Sequence, residues 1–346
     1  MMNQTREEAS QASPGEEGDR RPTLSVVVPC RNERLHIEET LKSILGQQAV
    51  EGGFEVLVVD GQSDDGTRVV LKRLQEAGGA LRVVDNPERI TAAAMNRGVE
   101  LSRGKLVAIL GAHSLYAPDY LQTCVDLLSE HPEADCVGGT ILSRGQSDFG
   151  KAVAFAMSHP AGVGNARHRY PDYEGYAEGA CFPVFRREAL LRTGLYDTTL
   201  VRNQDDDLNY RFRQAGGRVF ISHRAKCVYY VRETAAALYK QYHQYGAWRL
   251  KVLRKHGEVA SWRQIVPVAF FAWLVLSILL SIVAPAWRAL WLAPFFAYVV
   301  MLLSTGLLSA SSVGWAAAWR VPWAMVTMHF AYALGFASTL VKKPGS

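Results

Sequence analysis

Three apolar segments near the carboxyl end constrain the fold of this chain more than any other feature. Residues 265–284, 289–308 and 321–341 carry no formal charge, and each is about 20 residues long. A helix of that length crosses the hydrocarbon core of a bilayer, which is roughly 30 Å thick. The sequence therefore predicts two or three transmembrane helices within residues 264–341, with three favoured although the last segment contains His329.

A group of basic residues comes just before the first of these segments. Its members are Arg249, Lys251, Arg254, Lys255 and Arg263. Because basic residues stay on the cytoplasmic side of a membrane, we expect residues 1–263 to lie there, in a multi-pass protein of the inner (cytoplasmic) membrane. The same cations are placed to contact anionic headgroups, so membrane lipids are expected partners.

The amino-terminal tail has the opposite composition. Residues 1–22 are polar, contain almost nothing to bury, and are predicted to be disordered. They lack the apolar core of a secretory signal, which agrees with a cytoplasmic location. The five cysteines form no CxxC pair, and an odd number in a cytoplasmic domain predicts free thiols.

Between the tail and the apolar segments, short β-branched runs alternate with helical patterns. Strands are predicted at Leu24–Pro29, Glu55–Asp60, Arg82–Asn86 and Leu106–Leu110, with helices between them. This alternation is typical of an α/β domain with an open, mostly parallel, Rossmann-like sheet. In such sheets the ligand binds at the carboxyl ends of the strands.

Polar residues follow three of these predicted strands. Arg31, Asn32 and Glu33 come after the first strand, Asp60 ends the second, and His113 follows the fourth. The sequence contains neither GxGxxG after the first strand nor GxxxxGK[ST], which excludes the usual dinucleotide and P-loop fingerprints. The polar side chains at the strand ends are therefore the first candidates for ligand contacts.

Three motifs occur in order along the chain: SVVVPCRNE at 25–33, VVDGQSDDGT at 58–67, and QDDDLNYRFRQAGG at 204–217. Together they resemble the family 2 glycosyltransferases, which have the GT-A fold. Within that family the chain resembles the membrane-bound succinoglycan-biosynthesis branch. The strings that carry this second likeness are GAHSLY at 111–116, RNQDDDLNYR at 202–211 and YHQYGAWRLKVLRKHG at 242–257.

The resemblance implies a division of the chain into four parts. Residues 1–22 form the disordered tail, and residues 23–232 form a GT-A nucleotide-sugar-binding catalytic domain. Residues 233–263 form an interfacial helical segment, and residues 264–341 form the transmembrane region of two or three helices.

The resemblance also implies a set of donor-binding residues. A carboxylate that ends a buried strand can accept the imino hydrogen of uracil, and the family assigns Asp60 that role. The alternative for Asp60 is a helix cap or turn residue, because Asp is common there. The remaining donor contacts are placed at Pro29, Arg31, Glu33, Gly111 and His113.

The catalytic base is predicted at Asp205, where the family pattern has the aspartate of a Glu-Asp pair and this chain has Gln204-Asp205. The neighbouring Asp206 and Asp207 are expected only to complement the dipole of the helix that they begin. A carboxylate base in a closed site contributes roughly 10²–10⁴-fold to the rate. One base that acts opposite the leaving group implies inversion at the anomeric carbon.

The acceptor is expected to contact Glu178, Gly179 and Trp248. The glycine allows a close approach of the backbone. Trp248 resembles the tryptophan of the Gln-x-x-Arg-Trp motif in processive relatives, but Ala247 replaces its arginine. The alternative for Trp248 is an anchor at the membrane interface.

A divalent cation, Mn²⁺ or Mg²⁺, is expected beside the donor diphosphate. The family has Asp-x-Asp after the fourth strand, whereas this chain has Gly111-Ala112-His113. Imidazole suits later transition metals better than Mg²⁺, so we expect His113 to be the one metal ligand of this motif, with Mn²⁺ favoured. The alternative is that His113 binds a phosphate or packs structurally, without any metal.

The resemblance and the apolar segments together predict an inverting glycosyltransferase. It would move a hexose from a UDP-sugar to a lipid-linked, polyprenyl-diphosphate saccharide in cell-surface or exopolysaccharide synthesis, with no nucleic-acid partner. A processive polysaccharide synthase and a non-catalytic membrane scaffold that retains the fold are the alternatives. Product length tests the first alternative, and release of the nucleotide tests the second.

Overall fold

A computed structural model of the chain describes residues 21–78, 81–257 and 264–341. The first elements follow the predicted alternation, and each predicted strand is confirmed to within one residue at each end. These elements are β1 (Leu24–Cys30), α1 (Ile37–Leu45), β2 (Phe54–Asp60), α2 (Thr67–Glu76), β3 (Leu81–Asp85), α3 (Thr91–Leu101) and β4 (Leu106–Ile109).

Beyond β4 the chain adds a second set of strands and shorter helices. They are β5 (Ser114–Tyr116), α4 (Tyr120–Glu130), β6 (Cys136–Arg144), α5 (Asp148–Ala156), α6 (Pro160–Val163), β7 (Glu174–Ala177), β8 (Cys181–Arg186), α7 (Arg187–Thr193), α8 (Gln204–Gln214) and β9 (Val219–Tyr230). Five helices complete the described chain: α9 (Ala235–His256), α10 (Val266–Val283), α11 (Arg288–Val313), α12 (Trp315–Ala318) and α13 (Val321–Val341).

The strands form one mixed sheet in the order β3-β2-β1-β4-β8-β6-β9-β5, with β7 also paired to β9. The four strands β3, β2, β1 and β4 pair in parallel. In contrast, β8 is antiparallel to both of its neighbours, β4 and β6. The α/β expectation is confirmed, and the parallel arrangement is confined to the amino-terminal half of the sheet and the β6–β9 pair.

The sheet separates two apolar cores. Along β1, Val26 and Val28 pack into the core shared with α1, α2 and α4, whereas Val27 packs into the core on the opposite face, with residues of α3, α7 and α8. All three valines are fully buried. A continuous β-branched run is what a strand covered on both faces requires.

A third core joins the catalytic domain to the carboxyl-terminal helices. Side chains from α5, α9, α11 and α13 form it, among them Val153, Leu238, Leu302 and Met325. Two glycines let α9 and α13 approach closely. A Cβ at Gly246 would lie 1.9 Å from the carbonyl oxygen of Tyr332, and one at Gly335 would lie 2.0 Å from that of His243.

Two helical segments of the described chain are long and apolar enough to cross a membrane. They are α10 and residues 285–313, and only 6% and 22% of their apolar windows are buried in the protein. The third predicted segment, α13, does not meet that test, and Ala324, Met325 and Met328 are fully buried in the third core. The structure thus favours two such helices over the three that the sequence favoured, because α13 is covered by protein.

Several sequence predictions fall on residues outside the described ranges. Most of the predicted tail, residues 1–20, is among them, as is Arg263 of the basic group. The interfacial segment is described as far as residue 257, and α9 occupies most of it. The five cysteines all lie in the described part, and none of them forms a disulfide bond there, as predicted.

Candidate functional site

The strand register brings the ends of β1, β2 and β4 to one edge of the sheet. Cys30 of β1 lies beside Asp60 of β2, and Val27 lies beside Ile109 of β4. The loops that follow these strands therefore emerge together. Together with the last residues of β1 and β2, they carry all the residues that the sequence assigned to the donor.

Asp60 is fully buried and organises the loop after β2. One carboxylate oxygen accepts a hydrogen bond of 2.5 Å from the Ser63 hydroxyl, and the other accepts one of 3.1 Å from the Ser63 N–H. The Nε of Arg68 lies 3.4 Å from the second oxygen. These contacts match the turn interpretation of Asp60, and its contact with a nucleobase stays a prediction.

The loops after β1 and β2 are held to each other through side-chain amide and carboxylate groups. Asn32 donates to the carboxylate of Asp64 at 2.9 Å and accepts from the Asp64 N–H at 3.0 Å. Arg31 is exposed and donates to the carbonyl of Arg89 at 3.1 Å. Gly61 lies against the Arg31 side chain, at 3.2 Å from a Cβ position to Cδ. Pro29 is partly buried and Arg31 is exposed, and their contact with the donor stays a prediction.

His113 and Glu33 meet at this edge of the sheet. The Nδ1 of His113 lies 3.2 Å from a carboxylate oxygen of Glu33, and the two side chains are 43% and 24% exposed. Gly111 lies two residues before His113 and has little space around it, because a Cβ there would lie 2.9 Å from the ring of Phe182. Tyr116 fixes the same turn through hydrogen bonds with the backbone of Gly111.

The His113–Glu33 pair could supply two ligands to a cation. An imidazole nitrogen and a carboxylate oxygen form a donor set that suits Mn²⁺ better than Mg²⁺. The described residues contain no group of three or more His, Cys, Asp or Glu side chains that could hold a metal. A cation here would therefore need oxygen atoms of the substrate to complete its coordination, as the sequence predicted for His113.

A separate group of charges lies where α8 packs against α9. Helix α8 begins after Asn203, whose left-handed φ of 58° turns the chain into the helix. The three aspartates of its first turn then point in different directions. Asp206 pairs with Arg249 of α9, whose side chain is only 12% exposed.

Asp207 is the most heavily paired of the three aspartates. It is fully buried and accepts from Lys255 at 2.6 Å, from Arg211 at 2.9 Å, and contacts the Nε2 of His256 at 2.7 Å. Burial alone would raise the pKa of Asp207, but the hydrogen bonds from Lys255, His256 and Arg211 outweigh it and lower the pKa. Asp207 therefore fastens the end of α9 to α8.

Asp205 has no ion pair with any described residue, and solvent reaches its carboxylate. Protein atoms nevertheless surround the rest of the Asp205 carboxyl group and partly desolvate it. This desolvation, together with the charge of Asp206, raises the pKa of Asp205 to about 6 despite the opposing charge of Arg249. A carboxylate with that pKa is ionised at neutral pH and is a stronger base than an ordinary aspartate.

The predicted acceptor stretch packs against α8, the helix that carries Asp205. A Cβ on Gly179 would come within 2.3 Å of the side-chain nitrogen of Asn209, one helical turn after Asp205. The carbonyl oxygen of Glu178 accepts a hydrogen bond from Arg213 of the same helix. Trp248 lies on α9, and the Nζ of Lys251 stands 3.9 Å from the centre of its ring.

Sequence reasoning missed the role of two basic residues. Arg249 and Lys255 belong to the group expected to face lipid headgroups, but they turn toward the carboxylates of α8 instead. Buried acids recruit cations because an unpaired charge in the interior is costly. The only signal in the sequence is that three adjacent acids are followed later by a basic helix. That pattern does not show which acid pairs with which cation.

Comparison with known proteins gives consistent matches. The sequence model of the family described as "Glycosyl transferase family 2" matches residues 25–194. The succinoglycan biosynthesis protein ExoA of Rhizobium meliloti (strain 1021) is 34% identical over 324 residues, which cover 90% of this chain and 93% of that protein.

Two further matches are more distant. A dolichyl N-acetyl-alpha-D-glucosaminyl phosphate 3-beta-D-2,3-diacetamido-2,3-dideoxy-beta-D-glucuronosyltransferase of Methanococcus voltae is 24% identical, over 75% of this chain and 81% of that protein. The solved mannosyltransferase PcManGT from Pyrobaculum calidifontis, in complex with GDP-Man and Mn²⁺, superposes with a TM-score of 0.56. That alignment has 23% identity and covers 90% of this chain and 87% of the other.

Proposed function

Because this chain belongs to glycosyl transferase family 2 and has the GT-A fold, we propose that it transfers a hexose, with inversion, from a nucleotide-sugar to a lipid-linked saccharide. The chain is a glycosyltransferase of polysaccharide or glycan biosynthesis. The observation that carries the proposal is Asp205, an accessible carboxylate with a pKa of about 6, one helical turn before Asn209, whose side chain lies against Gly179.

Asp205 acts as the base for the acceptor hydroxyl. The acceptor sugar binds between α8 and the stretch at Glu178 and Gly179, and its hydroxyl donates a proton to Asp205 as it attacks the anomeric carbon. The nucleoside diphosphate leaves from the opposite face, so the configuration inverts. Asp206 and Asp207 take no part in the proton transfer, since cations of α9 occupy them.

The donor binds at the ends of β1, β2 and β4. We assign its contacts to Pro29, Arg31, Glu33, Asp60, Gly111 and His113. A UDP-hexose is the first candidate donor. PcManGT was solved with GDP-Man, so a guanine nucleotide is the competing donor that an experiment must include.

We propose that residues at this edge of the sheet would hold a divalent cation beside the donor diphosphate. His113 is its proposed ligand, and Glu33 can join it, because the two side chains already meet at 3.2 Å. The Mn²⁺ in the complex of PcManGT supports a cation in this fold. When bound, the cation supplies positive charge to the departing phosphate oxygens.

The acceptor is proposed to be a polyprenyl-diphosphate saccharide. The relative from Methanococcus voltae is named for a dolichyl-linked sugar phosphate. The two apolar helices, α10 and the segment at 285–313, support a catalytic domain held at the inner membrane. A membrane-attached domain meets a lipid-linked acceptor more readily than a soluble one, and we assign the contact surface to Glu178, Gly179 and Trp248.

A donor screen tests the proposal. Membrane fractions that contain the chain are incubated with radiolabelled UDP-hexoses and GDP-hexoses, and both the released nucleotide and the radiolabelled lipid are measured. We expect one sugar to be added to the lipid, with release of one nucleotide. Long products would support a processive synthase instead, and no release with any donor would support the non-catalytic scaffold. Membranes with the Asp205→Asn variant are the matched control.

A further inference from the structure

Arg169 is a partly buried cation near the polar side chains of Tyr229 and Cys181. It ends a short turn, Arg167–Arg169, and its guanidinium carbon lies 6.0 Å from the centre of the Tyr229 ring. Its Nη1 atom is shielded from solvent and has no hydrogen-bond partner. None of the carboxylates in the described part of the chain forms an ion pair with it. A guanidinium that is removed from water without a partner is strongly unfavourable.

The neighbours of Arg169 do not supply a negative charge. The groups that interact electrostatically with Arg169 include Tyr242, Cys181, Tyr245 and Tyr229. Burial raises the pKa of Tyr242 to about 12 and also raises that of Tyr245, so both phenols are neutral at physiological pH. Neutral hydroxyls can solvate a guanidinium but cannot balance its charge.

Further unsatisfied groups lie on α9, near the same tyrosines. The Nε2 of Gln241 donates to the hydroxyls of Tyr229 at 3.0 Å and Tyr245 at 3.1 Å, while its Oε1 has no partner. Two guanidinium nitrogens of Arg249, Nε and Nη1, are also buried and without partners. Arg169 Nη1 and Gln241 Oε1 are thus both left without a partner among the described residues in the region of Tyr229.

This polar region lies between the two parts of the candidate site. On one side, the ring of Tyr229 stands 6.4 Å from that of His113, at the proposed donor end. On the other side, the amide of Asn203, two residues before Asp205, donates to the Tyr245 carbonyl at 3.4 Å. An anion beside Arg169 would therefore lie close to the place where the sugar is transferred.

We propose that Arg169 and the surrounding tyrosines bind a phosphate group of a substrate. A phosphate offers several acceptor oxygens and a negative charge, and guanidinium matches it in geometry. The inference rests on the proposed function, in which both the donor and the lipid-linked acceptor carry phosphate. The two sources share this chemistry, and the experiment separates them.

The test uses the full chain in detergent or nanodiscs and measures binding, not turnover. Arg169→Met removes the cation, and Arg169→Lys keeps the charge without the planar fork. Arg167→Met is the matched control, because Arg167 lies two residues away and its Nη1 already donates to the Tyr173 hydroxyl at 2.8 Å and the Tyr176 carbonyl at 2.7 Å. The probes are UDP, uridine, and vesicles that contain polyprenyl diphosphate.

A donor phosphate at Arg169 predicts that Arg169→Met weakens UDP binding by about 10- to 100-fold and leaves uridine binding unchanged. An acceptor phosphate predicts the same loss for the vesicles, with UDP binding unchanged. Arg169→Lys should fall between Arg169→Met and the wild type, and Arg167→Met should match the wild type. If Arg169→Met does not fold, the Lys variant alone decides.

Wild-type affinities for both UDP and the vesicles in the folded Arg169 variants would overturn the proposal. An equal loss in Arg167→Met would overturn it as well, because the effect would then belong to the turn. A wild-type chain that transfers no sugar would contradict the proposed function. It would leave these binding measurements decisive for Arg169.

Discussion

At the carboxyl ends of β1, β2 and β4, polar side chains are held by groups from the adjoining loops, whereas on α8 two aspartates are held by cations from another helix. His113 and Glu33 remain partly exposed at the first place. At the second, Asp207 is fully buried and Asp206 is covered by Arg249. The charged groups at the sheet edge stay accessible to a ligand. In the α8–α9 contact, two carboxylates are held in ion pairs and Asp205 stays accessible.

The three adjacent aspartates of α8 thus differ in their surroundings and in their proposed roles. They have the same side chain and begin the same helix, so local sequence cannot separate them. The cations of α9 do distinguish the three aspartates, since each cation makes the carboxylate that it binds less available to a substrate. We therefore expect substitution of Asp205 to affect mainly turnover, that of Asp207 mainly stability, and that of Asp206 mainly the pH dependence.

The largest effect is expected for Asp205→Asn. Loss of the base should lower turnover by about 10²–10⁴-fold, while the affinity for the donor nucleotide is retained. Turnover is measured by nucleotide release with the lipid-linked acceptor, and affinity by calorimetry. Asp206→Asn should retain far more activity than Asp205→Asn. More than a few per cent of wild-type turnover in Asp205→Asn would remove the base role from this residue.

Asp207→Asn should mainly lower stability. Its cations would be left buried and unpaired, which costs roughly 3–5 kcal/mol. Because the folded-state pKa of Asp207 is lowered, the stability that it contributes is present above an ordinary aspartate pKa of about 3.9 and is lost as pH falls through the folded value.

Thermal unfolding of the purified chain measures this loss. Asp197→Asn is the matched control, because Asp197 also accepts from Lys255, at 2.6 Å, but is partly exposed and leaves the other partners of Asp207 in place. We expect a smaller decrease in Tm for that control. Equal decreases for the two variants would show that Lys255 alone, rather than Asp207, fastens α9.

The sheet edge is tested through the metal. Chelation should abolish transfer, Mn²⁺ should restore it better than Mg²⁺, and His113→Ala or Glu33→Gln should weaken the apparent metal affinity by about 10- to 100-fold. His223→Ala is a matched control, since His223 forms a similar exposed pair with Glu174 at 3.3 Å on another part of the sheet. Full activity after exhaustive chelation would exclude the metal, and an unchanged affinity in His113→Ala would exclude that ligand.

The smallest effect is a shift in the pH dependence of turnover. Protonation of Asp205 should give an acid limb with a midpoint of about 6. Asp206→Asn removes a like charge, so it should lower the pKa of Asp205 and move the limb to lower pH. Arg249→Met removes a cation and should move the limb to higher pH. Shifts in the same direction for both variants would contradict the electrostatic account.

The sequence predicted the parts of the fold that depend on local patterns. The β-branched run at Leu24–Pro29 needs cover on both faces, and the structure buries it in two cores. The positions of Glu33 and His113 after their strands were enough to place them at one edge, because parallel strands end together. The α8 acids could likewise be assigned to the start of a helix.

The apolar character of the last helices was also evident from the sequence, but their packing was not. The segments at 265–284 and 321–341 are both uncharged and about 20 residues long, whereas the structure leaves α10 exposed and buries Met325 and Met328 of α13. The difference depends on Gly246 and Gly335, which let α9 and α13 approach closely. Glycine positions on two helices reveal a contact only once the helices are placed together.

What the sequence by itself determined is the order of strands and helices, the apolar carboxyl end, and the residue types present at each strand end. Only the tertiary structure decided which charges meet. Arg249 pairs with Asp206, 43 residues earlier, and Arg169 lies beside tyrosines of α9. Local patterns reflect backbone preferences and burial along one element. Charge pairing depends on the relative placement of distant elements, and for that reason only the folded chain showed that cations occupy Asp206 and Asp207 and leave Asp205 accessible.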